Sequence, residues 1–174
     1  MNISTRLNKL KDLIKDEKID GYVIPKNDEF FLEQDPNNRL NFISNFDGSA
    51  GLAIIFKKGN YLFVDGRYTL QAKKQTNGLF KIYEIPKYLP QKILNKKFIL
   101  GYDPNTFTEK YINIFFGKKF NLKSINKNLV DSVSKRVSNK KSQSFYYLNK
   151  NIVGENEKTK VRRVTKVIKD KKAD

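Results

Sequence analysis

NFDGSAGLAIIFKKGNYLFVDGRYTLQA, residues 45–72, contains the clearest secondary-structure pattern of the chain. Two apolar runs, residues 52–56 and 61–64, are each long enough for a strand, and the four residues between them include Gly59. A four-residue connection with a glycine is typical of a β-hairpin. After the Asp-Gly-Arg of residues 65–67, the apolar spacing becomes that of a helix ending at Asn77-Gly78. The stretch therefore predicts two antiparallel strands, a sharp turn and a helix.

The flanking sequence alternates between helical spacing and short apolar runs. Further helices are predicted before residue 20, at 88–95 and from Thr106 or Thr108 to Gly117, and further strands at 22–24, 80–85, 98–102 and 120–125. Residues 26–41 are polar and contain Pro36, which favours a loop. Because strand–helix–strand connections favour parallel neighbours, this order predicts an α/β fold with a mixed β-sheet flanked by helices.

Composition limits the chemistry that is open to this chain. The 174 residues include no His and no Cys, while 39% are hydrophobic, which is enough for a core. Disulfides, thiolate metal sites and Ser-His or Cys-His nucleophiles are therefore excluded within the chain. The acidic residues are scattered, and the adjacent pairs Asp16-Glu17 and Asp28-Glu29 do not form a metal-binding pattern. We expect neither catalytic residues nor metal ligands in this chain.

The net charge of +17 raises the question of nucleic-acid binding. The basic residues are 29 Lys against 6 Arg, whereas Arg is the residue expected where phosphates or bases are bound specifically. We therefore expect no specific nucleic-acid partner. No apolar run reaches the roughly 18 residues of a membrane span, and the N-terminus lacks the apolar run of a signal peptide. These features predict a soluble, cytoplasmic protein without a membrane partner.

The last 40 residues differ in composition from the rest. Residues 132–144, SVSKRVSNKKSQS, contain no aromatic residue and almost no apolar one, which is typical of a linker. Residues 156–171 place four apolar side chains on one face of a basic helix: Val161, Val164, Val167 and Ile168. The predicted organisation is a domain over residues 1–134, a linker over 135–155 and a helix of a second, truncated domain over 156–174.

Two turns within residues 45–72 carry polar side chains that invite a functional interpretation. Ser49 in Gly48-Ser49-Ala50-Gly51 lacks the Gly-x-Ser-x-Gly frame of a nucleophile elbow, and no Gly-Lys-Ser/Thr follows to bind phosphate, so a tight structural turn is favoured. In the second turn Asp65 is placed to cap the helix that starts near Tyr68, while Arg67 could pair with a carboxylate. A scaffold role is favoured there over direct contact with substrate.

These residues also carry a family resemblance. FISNFDGSAGLAIIFKKGNYLFVDGRYTLQA resembles the signature of the N-terminal domain of aminopeptidase P, in the creatinase and prolidase superfamily (peptidase family M24). IDGYVIPKNDEF, LGYDPNTFT and KSINKNLVDSV resemble other parts of that domain in the same order, and VGENEKTKVRRVTKVIKDKKAD resembles the entry helix of the second domain. Asn45 stands where members often have Gly, so a positive φ is expected there.

The resemblance implies a creatinase-like N-terminal fold with a ribonuclease H-like motif, in a hydrolase that removes the residue preceding proline. In that family two Asp, one His and two Glu of a C-terminal domain hold two divalent ions, usually manganese. That catalytic domain, the peptide substrate and a homodimeric second subunit are the implied partners. The chain alone is expected to be inactive, and the substrate-access candidates are Asp65, Arg67 and Tyr68. The residues expected to have structural turn roles are Asp47, Gly48, Ser49, Gly51 and Gly66.

A second hypothesis belongs to a different functional class. Domains of this type also occur without catalysis in histone chaperone subunits, so the chain could be a stand-alone module that binds peptides or proteins. Its strong positive charge argues against histones as the partner, because like charges repel.

Overall fold

The structure is a computed structural model that describes residues 1–32, 38–134, 146 and 148–172. It contains two compact units, Met1–Val137 and Ser138–Asp174. In the described part of the first unit the strands are β1 (Gly21–Pro25), β2 (Gly51–Phe56), β3 (Asn60–Asp65), β4 (Lys81–Ile85), β5 (Ile99–Tyr102) and β6 (Asn121–Ser124). Its helices are α1 (Ile3–Asp16), α2 (Arg39–Ser44), α3 (Thr69–Gln75), α4 (Pro90–Ile93), α5 (Glu109–Phe115) and α6 (Leu129–Ser134).

The six strands form one mixed sheet in the order β4-β3-β2-β1-β5-β6. β2 is antiparallel to both of its neighbours, with Tyr22 opposite Ile55 and Ala53 opposite Leu62. The β1–β5, β5–β6 and β3–β4 pairs are parallel. The predicted α/β fold with a mixed sheet and the predicted hairpin between β2 and β3 are confirmed.

The sheet is covered on both faces, which explains why β1 is buried along its whole length. One face packs against α1, α2 and α6 through a core that includes Leu10, Tyr22 and Val133. The other face packs against α4 and α5 and is rich in phenylalanine, including Phe63 and Phe116. Side chains of successive strand residues point to opposite faces, so Tyr22 and Val23 belong to different cores.

Two short helices among the described residues of the first unit were not predicted from the sequence. The loop prediction for residues 26–41 is wrong at its end, because α2 begins at Arg39 with Asn38 as its N-cap; residues 33–37 lie outside the described residues. Asn45 closes α2 with φ +60°, as its position in place of the usual glycine predicted. A positive φ at this position gives the chain the left-handed turn that ends many helices.

The second of these helices, α6 (Leu129–Ser134), includes residues 132–134, which belong to the segment whose composition had suggested a linker. Val133 is buried there, and an ion pair attaches the helix to α2. Arg39 Nε and Nη2 donate to the two carboxylate oxygens of Asp131, each at 2.9 Å. This bidentate geometry is the strongest form of the Arg–carboxylate contact. Tertiary packing therefore stabilises a helix that local composition disfavours.

The second unit contains α7 (Lys150–Val153) and α8 (Glu157–Asp170). The Asn156 side chain caps α8 by accepting from Thr159 N at 2.9 Å, so the predicted basic helix is present. Its apolar stripe is exposed, for example Val161 at 63% and Val164 at 56%. The predicted linker over 135–155 stays a prediction, because residues 135–145 and 147 lie outside the described residues. α7 lies within its far end.

No helix among the described residues is long and apolar enough to span a membrane.

Candidate functional site

The candidate site lies at one edge of the sheet, where the parallel strands end and β2 begins. Strand pairing aligns Pro25 with Leu52, Gly51 with Val64, and Asp65 with Ile85 along this edge. The carboxyl ends of parallel strands are where ligands bind in open α/β sheets. The fold therefore brings both turns of the 45–72 stretch to the edge at which a ligand site is expected.

The first turn is built on Phe46, which is fully buried. A Cβ atom added to Gly48 would overlap Phe46 Cζ, so only glycine fits over the ring. A Cβ added to Gly51 would lie 3.1 Å from Phe46 Cε1 and 3.1 Å from Leu40 Cδ2, which is also tight. Both glycines allow the backbone to approach the core closely, which is a structural role.

Asp47 attaches the first turn to α3. Its Oδ1 accepts from Gln71 Nε2 at 2.5 Å and from Gln75 Nε2 at 2.6 Å, and its backbone N donates to Gln75 Oε1 at 3.1 Å. The Gln75 and Gln71 hydrogen bonds hold the pKa of Asp47 below its ordinary value of 3.8, with a smaller contribution from the charge of Lys26. Asp47 therefore stays ionised and is engaged within the protein.

Ser49 and Tyr68 connect the first turn to the second. The two hydroxyl oxygens lie 2.8 Å apart in a hydrogen bond, and the Tyr68 ring meets Phe46 edge-on at 6.0 Å. The hydrogen-bond partner of the Ser49 hydroxyl is thus another hydroxyl and not the His or Lys that activates a serine nucleophile. The structure thus brings together Ser49 and Tyr68, which the sequence had assigned to different roles.

At the second turn, the Asp65 cap forms one turn earlier than predicted. Asp65 Oδ1 accepts from Arg67 N at 3.0 Å within a 3₁₀ turn over Gly66–Tyr68, and α3 begins only at Thr69. Arg67 Nε also donates to Asp65 Oδ1 at 2.9 Å, so the carboxylate that pairs with Arg67 is Asp65 itself. The hydrogen bonds from the Arg67 side chain and backbone lower the pKa of Asp65.

Gly66 and Arg67 differ in how tightly they are held. Gly66 does not adopt a left-handed φ, and a Cβ there would lie 3.2 Å from Glu84 Oε1, the end of a flexible side chain. The Arg67 side chain is 75% exposed, so its guanidinium reaches solvent beyond the Asp65 ion pair. Of the three residues expected to control substrate access, Arg67 is thus the most accessible.

A pocket of about 330 Å³ lies beside the first turn, on the face of the sheet that α5 covers. It is lined by Lys26 and Asn27 after β1, by Ser49, by Ile85 at the end of β4, and by Tyr111 and Phe115 of α5. Burial raises the pKa of Tyr111 to about 12, so its phenol is neutral at physiological pH. This pocket was not predicted from the sequence, because Tyr111 and Phe115 of α5 lie 62 and 66 positions after Ser49 in the chain.

Gln71 and Gln75 were also missed as site residues. Their separation of four positions places them on one face of a helix, a signal that was available in the sequence. The sequence did not show that Asp47 is their hydrogen-bond partner, because only the folded chain brings Asp47 close to α3. The described residues contain no group of three or more His, Cys, Asp or Glu side chains placed to hold a metal ion. The residues of this chain that the structure describes do not fit a divalent metal centre, and no chemical step is assigned to one here.

The architecture defines a class of protein: an α/β domain with an open mixed sheet whose carboxyl edge is closed by two hydrogen-bonded turns. Residues 6–133 match the Creatinase/Prolidase N-terminal domain family. The chain belongs to this family, as the resemblance of its motifs indicated.

Relatives of known sequence extend well beyond this chain. A probable Xaa-Pro aminopeptidase P from Laccaria bicolor is 32% identical over 100% of the chain, which covers 29% of that relative. Xaa-Pro aminopeptidase 1 from Dictyostelium discoideum is 26% identical over 99% of the chain, which covers 31% of it. The chain therefore spans about a third of the length of these relatives and corresponds to the N-terminal domain of Xaa-Pro aminopeptidase-like proteins.

Solved structures share the fold. X-prolyl aminopeptidase from Caenorhabditis elegans, described as a cytosolic enzyme with a di-nuclear active site, aligns with a TM-score of 0.72 at 23% identity over 99% of this chain and 32% of its own. The N-terminal domain of the cytoplasmic peptidase PepQ from Mycobacterium tuberculosis aligns with a TM-score of 0.59 at 23% identity, over 74% of this chain and 98% of its own. These likenesses confirm the creatinase-like fold.

Proposed function

We propose that this chain is the non-catalytic N-terminal domain of a metal-dependent Xaa-Pro aminopeptidase that acts in the cytoplasm. The observation that carries the proposal is the family match over residues 6–133 in a chain covering 29% of a relative named as an Xaa-Pro aminopeptidase. In this proposal two divalent ions, manganese by preference, are held by a catalytic domain outside the chain. When bound there, such ions would supply the Lewis acidity for hydrolysis of the bond before proline.

The proposed contribution of this domain is to shape substrate access or subunit contacts. Asp65 and Tyr68 are engaged within the domain, and they support a scaffold role for the second turn. Arg67, which is 75% exposed at the carboxyl edge, is the residue we assign to the rim of a catalytic mouth. That mouth belongs to the same subunit or to the second subunit of a homodimer. A cation at the rim would interact with the carboxylate or carbonyl groups of longer peptides.

The test of this contribution compares peptide lengths in the protein encoded by the complete reading frame. Arg67→Gln should raise KM for Xaa-Pro peptides of five or more residues, roughly two- to tenfold, while KM for tripeptides stays the same. Lys57→Gln is the matched control, since exposed Lys57 follows β2 at the opposite edge of the sheet. Equal KM values for Arg67→Gln and the unaltered protein at every length would contradict the assignment.

The exposed helix α8 is proposed as the first helix of the second domain. Its stripe of Val161, Val164, Val167 and Ile168 is 41–63% exposed in this chain, and an amphipathic helix gains most of its stability by burying such a face. The rest of the protein is the proposed partner. In the protein encoded by the complete reading frame, amide protons of α8 should exchange more slowly than in the 174-residue chain. Equal exchange would exclude this packing.

A second candidate function, a stand-alone peptide- or protein-binding module, is favoured by one surface feature. The consecutive side chains of Phe30, Phe31 and Leu32 are 66%, 49% and 55% exposed, and contiguous exposed apolar groups often mark interaction sites. Sequencing the transcript beyond the codon of Asp174 distinguishes the two functions. A stop codon would support the module, and a continuing frame that encodes His and clustered carboxylates would support the enzyme.

A further inference from the structure

The pocket beside the first turn has a shape and a position suited to a small ligand. Its volume of about 330 Å³ falls at the lower end of the range for small-molecule sites, roughly 300–1,000 Å³. It opens at the carboxyl edge of the sheet, between the end of β1, the start of β2 and the end of β4. The first turn does not need this pocket for its own structure, because Asp47 and Phe46 already hold the turn in place.

One charged side chain of the pocket is nearly buried. Lys26 is only 8% exposed, and its backbone N donates to Gly51 O at 3.0 Å, which extends the β1–β2 pairing by one residue. Within the described ranges 1–32, 38–134, 146 and 148–172, no hydrogen bond or ion pair engages the Lys26 ammonium. The Lys26 Nζ atom is not itself fully buried, so the ammonium meets the solvent of the pocket while the rest of the residue is covered. Since no carboxylate of the described residues pairs with it directly, this ammonium can pair with an anion that enters the pocket.

Asp47 is a carboxylate that feels the charge of Lys26, and its hydrogen bonds go to other residues. The charge of Lys26 contributes only a minor part of the lowering of the Asp47 pKa. The Asp47 carboxylate is occupied by the amides of Gln71 and Gln75. Lys26 is therefore able to engage an anion that arrives from outside without breaking an existing ion pair.

The other walls of the pocket are apolar or carry neutral donors. Tyr111 and Phe115 are stacked with ring centroids 4.2 Å apart and planes 10° from parallel, and Phe31 and Ile85 also belong to the lining. Ser49 contributes a hydroxyl, which already exchanges a hydrogen bond with Tyr68 but has further acceptor and donor capacity. A ligand that fits must combine one anionic group with an aromatic or branched apolar body.

We infer that this pocket binds an organic carboxylate whose carboxylate group pairs with Lys26 and whose apolar body packs on Tyr111 and Phe115. The ligand class is an N-acylated amino acid or the C-terminal residue of a short peptide, both of which present this chemistry. A carboxylate fits better than a phosphate, because Lys26 is the one cation among the described residues that line the pocket and the remaining surface is mainly apolar. The inference does not depend on the enzymatic activity proposed above.

The test uses the 174-residue chain and a matched pair of ligands. N-acetyl-L-phenylalanine ends in a carboxylate that would pair with Lys26, whereas N-acetyl-L-phenylalaninamide ends in a neutral amide of similar size. NMR titration should give a dissociation constant of about 1 mM for the acid and a value at least about tenfold weaker for the amide. The largest shifts of backbone amide signals should fall at residues 26–27, 49–51 and 111–115. The tripeptide Ala-Ala-Phe shows which source is preferred: tighter binding than the acid indicates a peptide terminus, and equal binding a free amino-acid derivative.

Two lysine variants locate the charge. Lys26→Met keeps an unbranched apolar side chain without the charge and should weaken binding of the acid by about tenfold or more, while Lys57→Met at the opposite edge should leave it unchanged. The acid–amide comparison on the unaltered chain remains decisive if Lys26→Met does not fold. Equal binding of acid and amide, no binding of either up to about 10 mM, or unchanged binding by folded Lys26→Met would overturn the inference.

Discussion

Asp47 and Gln75, 28 positions apart, exchange hydrogen bonds in both directions. Gln75 Nε2 donates to Asp47 Oδ1 at 2.6 Å, and Asp47 N donates to Gln75 Oε1 at 3.1 Å. Because the amide of Gln75 offers both a donor and an acceptor, one side chain satisfies the backbone and the carboxylate of the first turn. This pair joins the turn before β2 to the helix after β3. The pair therefore attaches the start of the 45–72 stretch to the last turn of α3.

Asp47→Ala should lower the free energy of unfolding by about 1 kcal/mol, because two amide donors of α3 lose their acceptor. The effect is modest since the groups are exposed and water replaces part of what is lost. Urea denaturation followed by circular dichroism measures it. Asp12→Ala, at an exposed acid of α1, is the control and should change stability by less than about 0.5 kcal/mol. Equal effects of the two variants would show that the Asp47 contacts do not stabilise the domain.

The stability contributed by Asp47 should disappear in acid. Its pKa is lowered in the folded state below the ordinary 3.8, so the unfolded chain binds this proton more readily. The contribution is therefore present above 3.8 and is lost as the pH falls through the folded-state pKa. Urea midpoints measured from about pH 6 to about pH 2.5 should fall less steeply for Asp47→Asn than for the unaltered chain. Asp65, whose pKa is also lowered, accounts for part of the slope that remains. Parallel curves for the two proteins would rule out a shifted Asp47.

Gly48→Ala should destabilise the domain by about 2 kcal/mol, because the new Cβ overlaps the buried ring of Phe46. Gly66→Ala is the matched comparison. Its Cβ meets only the flexible end of Glu84, and its φ is not left-handed, so the cost should stay below about 1 kcal/mol. Thermal melts of both variants give the ranking. A larger loss for Gly66→Ala would mean that the second turn, and not the first, is under the tighter steric constraint.

Asp131→Ala should destabilise the first unit by about 2 kcal/mol, since the Arg39 side chain is only 11% exposed and loses its bidentate partner. Glu17→Gln breaks the Lys123–Glu17 pair, whose side chains are 45% and 39% exposed, and should cost less than about 0.5 kcal/mol. Chemical denaturation of the two variants compares a shielded with an exposed ion pair. Similar small losses would indicate that α6 is held by its apolar residues alone.

Elements that depend on local sequence signals were predicted, whereas elements that depend on tertiary contacts were not. The hairpin of β2 and β3 was predictable because its apolar runs and glycine turn are local signals. The helices α2 and α6 were not, since each has six residues and is held by distant contacts such as Arg39–Asp131. Short helices gain their stability from tertiary packing, which a local pattern does not contain.

The candidate site divides in the same way. Asp47, Ser49, Asp65 and Tyr68 were identified because they belong to one quoted stretch. Their pairing was not, because the hydrogen bonds from Gln71 and Gln75 to Asp47 and between Ser49 and Tyr68 depend on how the hairpin folds back on α3. The burial of Lys26 could not be predicted either, since lysine is exposed in most proteins.

The most direct test of the proposed function is metal-dependent release of the residue before proline. The measurement compares the purified 174-residue chain with the protein encoded by the complete reading frame, each with Mn²⁺ and with a chelator. The account predicts cleavage by the longer protein that the chelator abolishes, and no cleavage by the chain alone. Metal-dependent cleavage by the 174-residue chain, or none by the longer protein, would contradict it.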